Sequence, residues 1–344
     1  MPLKIYYDIL VNILMMKNFN DHEGECMFIS IAMCAYNGEK YILEQLNSIA
    51  SQSRKPDELV ICDDKSSDHT IDIIQEFSQT VPFDVRLMQN KKNIGSNANF
   101  EQAIKMCQGD IIVLADQDDV WMLNKLEKIE LCFENHSNIG AVFSDAELVD
   151  EGMEPMNCNL WEAYEFTQKE QKTISNGRFV DVLLKHNVVA GATMAFKRSY
   201  INYVTPIPMH WVHDAWIVLL IAACTNVYLI KEPLIKYRQH SKQQIGARKL
   251  NLIQKIKTAK GHNRSQYTMQ AKVYQDVLTR IMIFHVVDNK LIKSFQDAIT
   301  HLNHRGNNST FTIWRIKQIL DEIVSLRYFK YSRGFQSVLK DLFM

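Results

Sequence analysis

Three carboxylates stand close together in Asp116-Gln117-Asp118-Asp119, which directly follows the apolar run 111–115. Carboxylates this close repel one another unless a cation lies between them. Carboxylate oxygens are ligands that Mg²⁺ and Mn²⁺ prefer, and these metals keep open positions for phosphate oxygens. The run therefore predicts a divalent metal site. The alternative is a solvated turn with helix-capping aspartates.

Two further carboxylate positions could take part in chemistry. Asp63-Asp64 follows the apolar run 58–62. A carboxylate there can accept hydrogen bonds from a base or a ribose, or Asp64 can cap the next helix. Asp214 begins a predicted helix, whose positive end favours an ionised carboxylate. Such a carboxylate facing a cleft can act as a general base on a sugar hydroxyl, but it can equally be an ordinary first-turn aspartate.

The segment Tyr237-Arg238-Gln239-His240 follows the last predicted strand. A histidine can ligate a metal, and Arg238 and Lys242 can hold a pyrophosphate. A single histidine is more often structural, so by itself this segment indicates little.

Strands and helices alternate along the residues that position these groups. Short apolar runs predict strands over 28–34, 58–62, 84–88 and 111–115. Helical spacing predicts helices over 39–52, 71–77 and 100–107. This alternation predicts parallel strands joined by right-handed crossovers. Ligands bind beyond the carboxyl ends of such strands, which is where Asn37, Asp63, Asp64 and the acidic run fall.

The pattern is mixed after Gly140. Strands are predicted over 141–145, 192–196, 226–230 and 233–238, and helices over 179–185 and 212–224. Between them, a polar and aromatic stretch extends to Asn176. Beyond Gly246 the segments are mostly helical and basic.

Composition indicates a folded protein without disulfides. The chain has 344 residues and is 47% apolar, which suffices for one large domain or for one domain with an appendage. Its seven cysteines include no C-x-x-C pair, which favours reduced thiols in a cytoplasmic protein. The apolar stretch 5–16 is too short to span a bilayer, and Thr225-Asn226 interrupts the stretch 215–230. We therefore expect neither a membrane span nor a signal peptide.

The formal net charge is zero, but it is unevenly distributed. Residues 247–344 contain 17 lysines and arginines against 6 aspartates and glutamates, so the remainder is acidic. Basic amphipathic helices can lie on anionic bilayers, which predicts peripheral membrane contact through this region. The alternatives are an appendage packed on the main domain or a dimer contact. No nucleic-acid recognition motif accompanies the charge, so we expect no nucleic-acid partner.

Together these segments resemble the family 2 glycosyltransferases, which have the GT-A fold, over about residues 28–246. The resemblance rests on FISIAMCAYNGEKYILEQLNSIASQS, ELVICDDKSSDHT, NIGSNANFEQAI, IIVLADQDDVW, and VHDAWIVLLIAA with YRQHSKQQIGA. The last blocks are similar to those of bacterial rhamnosyltransferase-like enzymes of surface polysaccharide synthesis. The resemblance implies an α/β fold with a Rossmann-like mixed sheet flanked by helices. It divides the chain into an N-terminal extension (1–26), a GT-A domain (27–246) and a basic, mainly helical C-terminal region (247–344).

The resemblance also implies a role for each matching residue. Asp214 would be the catalytic base of an in-line displacement that inverts the anomeric centre. Asp118 would hold Mn²⁺ or Mg²⁺ bridging the two phosphates, with His240 beside it. The nucleotide-sugar would be bound by Ala35, Tyr36, Asn37, Asp63, Asn93, Asp116, Gln117 and Arg238.

The implied reaction transfers a sugar from a nucleotide diphosphate-sugar to a glycan or lipid-linked acceptor. The expected setting is O-antigen or capsule synthesis in the cytoplasm, at the inner face of the cell membrane. L-Rhamnose from dTDP-rhamnose is the first expectation. A hexose from a UDP-sugar is the alternative, and a sugar-nucleotide binder without turnover is a third reading. A phosphatase is disfavoured because its D-x-D motif ends the first strand of the domain rather than the fourth. A nucleotidyltransferase is disfavoured because residues 35–40 are not a glycine-rich loop with basic residues.

Two positions depart from the family pattern. Lys65 stands where the family has a glycine that favours a positive φ, so either the turn changes or Lys65 adopts that conformation at a cost. Ala215 replaces a tryptophan, which would open space near the acceptor. These changes leave the identity of donor and acceptor open.

Overall fold

The computed structural model describes residues 27–241, 264–284, 288–307 and 312–343. The predicted extension 1–26, Lys242 and the start of the basic region lie outside the described residues. Within them, nine strands form one mixed sheet flanked by helices. The predicted fold class is confirmed.

Four parallel strands form the first half of the sheet. They are β1 (Ile29–Ala35), β2 (Glu58–Asp63), β3 (Asp84–Gln89) and β4 (Ile111–Asp116). Their spatial order is β3-β2-β1-β4, and each neighbouring pair is parallel. In this register Ala35 lies opposite Asp63 and Cys34 lies opposite Asp116. The carboxyl ends of β1, β2 and β4 therefore meet at one edge, as the alternation predicts.

Three helices connect these strands, namely α1 (Ile42–Ala50), α2 (Thr70–Ser78) and α3 (Ser96–Met106). The helix α3 begins at Ser96 rather than at Phe100, directly after Gly95, whose φ is 85°. Alternate strand residues enter two apolar layers, because successive side chains of a strand point to opposite faces. One layer contains Ala32, Val60 and Leu114, and the other contains Ile31, Leu59 and Val113.

The second half of the sheet is mixed. Its strands are β5 (Val120–Trp121), β6 (Ile139–Val149), β7 (Pro155–Asn159), β8 (Met194–Lys197) and β9 (Asn226–Arg238). The strand β8 lies antiparallel between β4 and β6, while β9 runs parallel to β6 and antiparallel to β5. The two strands predicted over 226–230 and 233–238 are one strand. The register shifts next to Pro233, which tolerates a proline within the pairing.

Several elements were not predicted from the sequence. They are the short strands β5 and β7 and the helices α4 (Lys125–Asn135), α5 (Leu160–Ala163) and α6 (Gln168–Ser175). Of these elements, β7, α5 and α6 lie in the polar and aromatic stretch that extends to Asn176. For α6 a signal was present, since Thr167 and Glu170 form a capping box at its start.

The remaining helices of the main domain are α7 (Phe179–Leu183), α8 (Ile201–Val204) and α9 (His213–Cys224). Every residue of α9 from His213 to Ile221 is buried. This burial explains the long apolar stretch at 215–230. Among the described residues, no helix combines the length and apolar character needed to cross a bilayer.

Five helices follow, namely α10 (Arg264–Ile283), α11 (Asn289–Gly306), α12 (Thr312–Val324), α13 (Arg327–Tyr331) and α14 (Phe335–Phe343). Tyr274 of α10 and Phe295 of α11 belong to the same apolar cluster as Trp216 of α9. The Tyr274 hydroxyl donates to the Leu183 carbonyl oxygen at 3.1 Å. The described part of the C-terminal region is therefore helical, as predicted, and α10 and α11 extend the core of the main domain.

We predict that Tyr274→Ala lowers the free energy of unfolding by about 3–5 kcal/mol, because it removes a fully buried aromatic ring from this shared core. Urea unfolding measures the change. The matched control is Met269→Ala on the exposed side of α10, which we expect to change stability by less than about 0.5 kcal/mol. Equal effects of the two substitutions would contradict a shared core.

Candidate active site

The acidic run forms the turn between β4 and β5. The Gln45 side-chain amide donates to the Asp116 carbonyl oxygen at 3.0 Å. The Tyr36 backbone N–H donates to Gln117 Oε1 at 2.8 Å, and Gln117 Nε2 donates to the Tyr36 carbonyl oxygen at 3.0 Å. These two bonds hold the turn against the end of β1, where Ala35 is buried and Tyr36 is exposed.

The carboxylates of this turn perturb one another. Desolvation, followed by the charges of Asp118 and Asp214, raises the pKa of Asp116 to about 7. Desolvation, followed by Asp118 and Asp116, raises the pKa of Asp119 well above its ordinary value. Asp119 Oδ1 accepts from the Arg238 backbone N–H at 3.1 Å, while Asp119 Oδ2 is buried without a hydrogen-bond partner among the described residues. The site therefore concentrates negative charge.

Lys125 is the buried cation of this site, and sequence reasoning missed it. Its side chain is fully buried, and Nζ donates to the Ala192 carbonyl oxygen at 2.6 Å and lies 3.8 Å from the Trp121 ring centroid. Burial lowers the pKa of Lys125 to about 7, although Asp119 and Asp116 act in the opposite direction. A lysine that opens a charged helix resembles a surface residue, so its pattern gave no signal.

Asp118 and His240 lie side by side, as the resemblance implies. His240 Nε2 is 2.7 Å from Asp118 Oδ2, and the imidazole packs on Tyr41 with ring centroids 4.8 Å apart. The chain brings these residues together from positions more than one hundred residues apart, because β9 returns to pair with β5. Tyr41 is a further site residue that the sequence analysis did not identify.

These groups fit a divalent cation that takes part of its coordination from the protein. A carboxylate oxygen and an imidazole nitrogen are ligands that Mn²⁺ accepts, and the buried Asp119 Oδ2 has no hydrogen-bond partner among the described residues. Within the described ranges, no group of three or more acidic, histidine or cysteine side chains is arranged to hold a metal. Bound phosphate oxygens would therefore complete the coordination, and metal binding stays a prediction.

Arg238 holds the acidic turn in place from β9. Its Nε donates to the Asp118 carbonyl oxygen and its Nη1 to the Glu151 carbonyl oxygen, both at 2.8 Å. Its Nη2 pairs with the Glu44 carboxylate, and the guanidinium lies over the Tyr41 ring. The structure thus gives this buried arginine a positioning role, while its predicted contact with the nucleotide-sugar stays a prediction.

The turn after β2 is ordered by both of its aspartates. Asp63 is buried and accepts from the Ser66 backbone N–H at 2.8 Å and from the Ser66 hydroxyl. Asp64 accepts from the backbone N–H groups of Ile94 and Gly95, each at 2.8 Å. Asp64 therefore fixes the loop after β3 and does not cap α2.

Lys65 keeps the turn geometry for which the family uses a glycine. Its φ is 66°, in the left-handed region, at a cost of about 1 kcal/mol for a residue with a side chain. Asn37 also has a positive φ, 46°, and its Oδ1 accepts from the Ser67 backbone N–H at 2.9 Å. Asn37, Lys65 and Asn93 are all exposed along this edge, where a ligand can reach them.

Asp214 lies in the first turn of α9, with its carboxylate fixed by the backbone. Its Oδ2 accepts from the Gly191 N–H at 2.9 Å. Burial raises the pKa of Asp214 to about 6, although the N–H groups of Ala215 and Gly191 act to lower it. Asp214 is therefore a carboxylate that changes protonation near neutral pH, as a general base requires.

His213, the neighbour of Asp214 in the chain, sets the position of α9 through two contacts. The His213 backbone N–H donates to Asn97 Oδ1 at 3.1 Å, so the first turn of α3 contacts the start of α9. The His213 ring stacks on Phe100 at 4.0 Å, and burial lowers its pKa to about 3, so the ring is neutral at pH 7. Asn97 was part of a recognised block, but its contact across the cleft could not be read from that block.

We predict that Lys125→Met lowers the free energy of unfolding by about 3–5 kcal/mol, because it leaves Asp116 and Asp119 without their buried cation. Urea unfolding of the purified protein measures the change. The matched control is Lys128→Met on the same helix, which removes a partly exposed pair with Glu232 and costs less than about 1 kcal/mol. If both variants unfold alike, Lys125 does not neutralise the aspartates.

Comparison with known proteins identifies the family of this chain. The family model described as Glycosyl transferase family 2 matches residues 30–200. An uncharacterized glycosyltransferase of Haemophilus influenzae is 24% identical over 284 residues, covering 78% of this chain and 84% of that protein. The dTDP-rhamnosyl transferase RfbG of Shigella flexneri is 29% identical over 229 residues, covering 62% of this chain and 74% of that protein.

The fold is also that of solved glycosyltransferase structures. The crystal structure of S. aureus TarS residues 1–349 in complex with UDP-GlcNAc has a TM-score of 0.57 and 16% identity. The similarity covers 86% of this chain and 81% of that chain. At this identity the structural similarity supports the fold alone. The assignment to an enzyme family rests on the match to the family model. The chain belongs to glycosyltransferase family 2, with the GT-A fold, and is a glycosyltransferase.

Proposed function

We propose that the chain is an inverting glycosyltransferase that moves L-rhamnose from dTDP-rhamnose to a glycan acceptor in cell-surface polysaccharide synthesis. The observation that supports this proposal is the proximity of the acidic turn to Asp214. The charge of Asp214 raises the pKa of Asp116, and both carboxylates, after burial, raise the pKa of the Tyr164 hydroxyl, so the three groups lie close together. A donor diphosphate and a base for the acceptor need this arrangement.

The residues of the chain divide the chemistry between donor and acceptor. The exposed edge formed by Tyr36, Asn37 and Asn93 would receive the nucleotide, and Asp116 would accept from the ribose. The acceptor hydroxyl oxygen then bonds to the anomeric carbon while the bond from that carbon to the diphosphate oxygen breaks. Asp214 takes the hydroxyl proton, and the nucleotide diphosphate leaves with the electron pair.

Asp118 and His240 are the residues that would hold Mn²⁺ or Mg²⁺. When bound, such a cation stabilises negative charge on the leaving diphosphate. Arg238 and Gln117 keep Asp118 in place from two sides, through the acidic turn. Asp63 is buried in its turn, so its proposed contact with the base requires that the bond to the Ser66 hydroxyl opens.

The choice of donor rests on the relatives. RfbG of Shigella flexneri, which is named for dTDP-rhamnosyl transfer, aligns with 62% of this chain. A second candidate is a UDP-hexose, because the E. coli glucosyltransferase WfgD, named for UDP-Glc, is 33% identical over 123 residues. That alignment covers 36% of this chain and 47% of WfgD, which makes rhamnose the first candidate. WfgD acts on a diphosphoundecaprenol-linked sugar, and we propose a lipid-linked acceptor at the cytoplasmic face of the membrane here too.

The first prediction from this proposal concerns turnover of the nucleotide-sugar donor. The purified protein with Mn²⁺ or Mg²⁺ should slowly hydrolyse one member of a panel of nucleotide sugars, with dTDP-rhamnose as the first candidate. Asp118→Ala should reduce release of the nucleotide diphosphate at least about a hundredfold, because the charge on the leaving group is no longer stabilised. Asp214→Asn should reduce turnover by about 10²–10⁴-fold while donor binding is kept.

The control for this assay is Asp72→Asn, which changes an exposed aspartate of α2 outside the cleft and should leave turnover unchanged. Release from a UDP-hexose alone would replace rhamnose by the second candidate. Failure to release or bind any nucleotide would overturn the assignment of the donor site.

The second prediction from this proposal concerns the pH dependence of kcat/KM. Asp214 acts as a base only when deprotonated, and its pKa is about 6, so kcat/KM should fall about tenfold per pH unit below that value and level off above it. Hydrolysis of the identified donor from about pH 5 to about pH 8 measures the profile. The same acidic limb in Asp214→Asn would assign it to another group.

A further inference from the structure

The helix α12 exposes apolar side chains on one face. Ile313, Leu320 and Val324 recur at helical spacing, and their exposed fractions are 83%, 54% and 83%. Trp314 on the same helix is also exposed, as are Phe335 and Leu339 on α14. Single exposed apolar residues are common, but a recurring face of large ones marks an interaction surface. We call the side of α12 that carries Ile313, Leu320 and Val324 the α12 face.

The opposite side of α12 is buried, and it combines an apolar contact with a polar network. Ile319 is 3% exposed and packs in a small apolar cluster with Tyr328 and Val338. Glu322 is 1% exposed. Its Oε2 lies 2.5 Å from His301 Nδ1, and its Oε1 lies 2.6 Å from His304 Nδ1. Aliphatic residues therefore occupy two sides of α12, one packed inside the protein and the other exposed. A second apolar face that is left in solvent indicates that the α12 face meets an apolar partner.

A buried network fixes this orientation. Arg305 of α11 donates to both carboxylate oxygens of Asp341 of α14, at 2.7 and 2.9 Å. The Ser332 hydroxyl links the network, since it contacts His301 Nε2 at 2.8 Å and accepts from Arg305 Nη1 at 2.7 Å. Rotating α12 about its axis to bury its apolar face would break the contacts of Glu322 with His301 and His304. A buried polar group without partners is costly in free energy. The α12 face is therefore held outward.

The charge around the α12 face is positive. Residues 312–343 contain six lysines and arginines against three acidic residues. Two of the three acidic residues, Glu322 and Asp341, are buried in the network and so are neutralised locally. Lys317 is exposed on the same helix, 5.8 Å from the Trp314 ring centroid. Exposed aliphatic residues with tryptophan and lysine beside them suit the boundary of an anionic bilayer.

We propose that the α12 face is a membrane-docking surface, which lays the enzyme on an anionic bilayer with its apolar side chains among the acyl chains. This inference rests on the proposed function, because a lipid-linked acceptor would bring the active site to the bilayer. The basic residues supply the long-range attraction and the apolar residues supply the contact, so binding requires both.

Flotation of the full-length protein with vesicles tests the surface. One set contains phosphatidylglycerol and phosphatidylethanolamine, and the other contains phosphatidylcholine alone. We expect binding to the anionic set, reduced at least about tenfold by Leu320→Ser with Val324→Ser, because two apolar contacts are lost. Lys317→Gln should weaken binding about fivefold, on the anionic set only. The matched control is Met269→Ser with Met282→Ser, two equally apolar, exposed positions of α10, which should bind as the wild type does.

Donor hydrolysis by the Leu320→Ser, Val324→Ser variant separates this inference from the proposed function, since the variant should keep wild-type turnover in solution. Turnover without vesicle binding by the wild type would overturn the docking surface and leave the transferase standing. A dimer in size-exclusion chromatography with light scattering, dissociated by the same variant, would overturn it in favour of a second copy of the chain. Equal loss of binding in the control variant would also contradict a specific α12 face.

Discussion

The structure depends on gathering carboxylates at one edge of a parallel sheet. The carboxyl ends of β1, β2 and β4 coincide, so Asp63, Asp116 and the turn that follows are brought together. Mutual repulsion and desolvation make this arrangement costly in the absence of cations. Lys125, at the start of α4, contributes one positively charged side chain, and Arg238, at the end of β9, contributes a second. The repulsion that remains among the carboxylates would be relieved by the binding of a cation.

The sequence predicted the parts of this arrangement that repeat locally. Apolar runs and helical spacing located the first four strands and their order of alternation, and the strand-end rule placed Asp63 and Asp116 at one edge of the sheet. It did not predict β5, a two-residue strand that is too short for a period, or α4, whose first residue is a buried lysine. The stretch before Asn176 was also missed, because its short helices rely on tertiary packing rather than on an apolar stripe.

Contacts between distant segments account for most of what was missed in the site. Asp64 bonds to Ile94 and Gly95, Asn97 bonds to His213, and Arg238 bonds to the acidic turn. The sequence indicated Asp64 and Arg238 as candidate residues, but it identified none of these hydrogen-bond partners. Their roles follow from the topology, in which β9 returns beside β5 and the first turn of α3 faces α9. The resemblance of motifs identified the segments of the site. The hydrogen bonds between these segments became visible only in the folded structure.

The polar interior beneath α12 has a thermodynamic consequence. Exposure of apolar surface raises the heat capacity on unfolding, whereas exposure of polar surface lowers it. The helices α12 to α14 bury Glu322 and Asp341 beside a small apolar cluster, while Leu320 and Val324 are already in solvent. Unfolding of these three helices therefore adds less heat capacity than unfolding of the sheet. The stability of this part of the protein should vary less steeply with temperature, so cold would weaken the sheet before it weakens these helices.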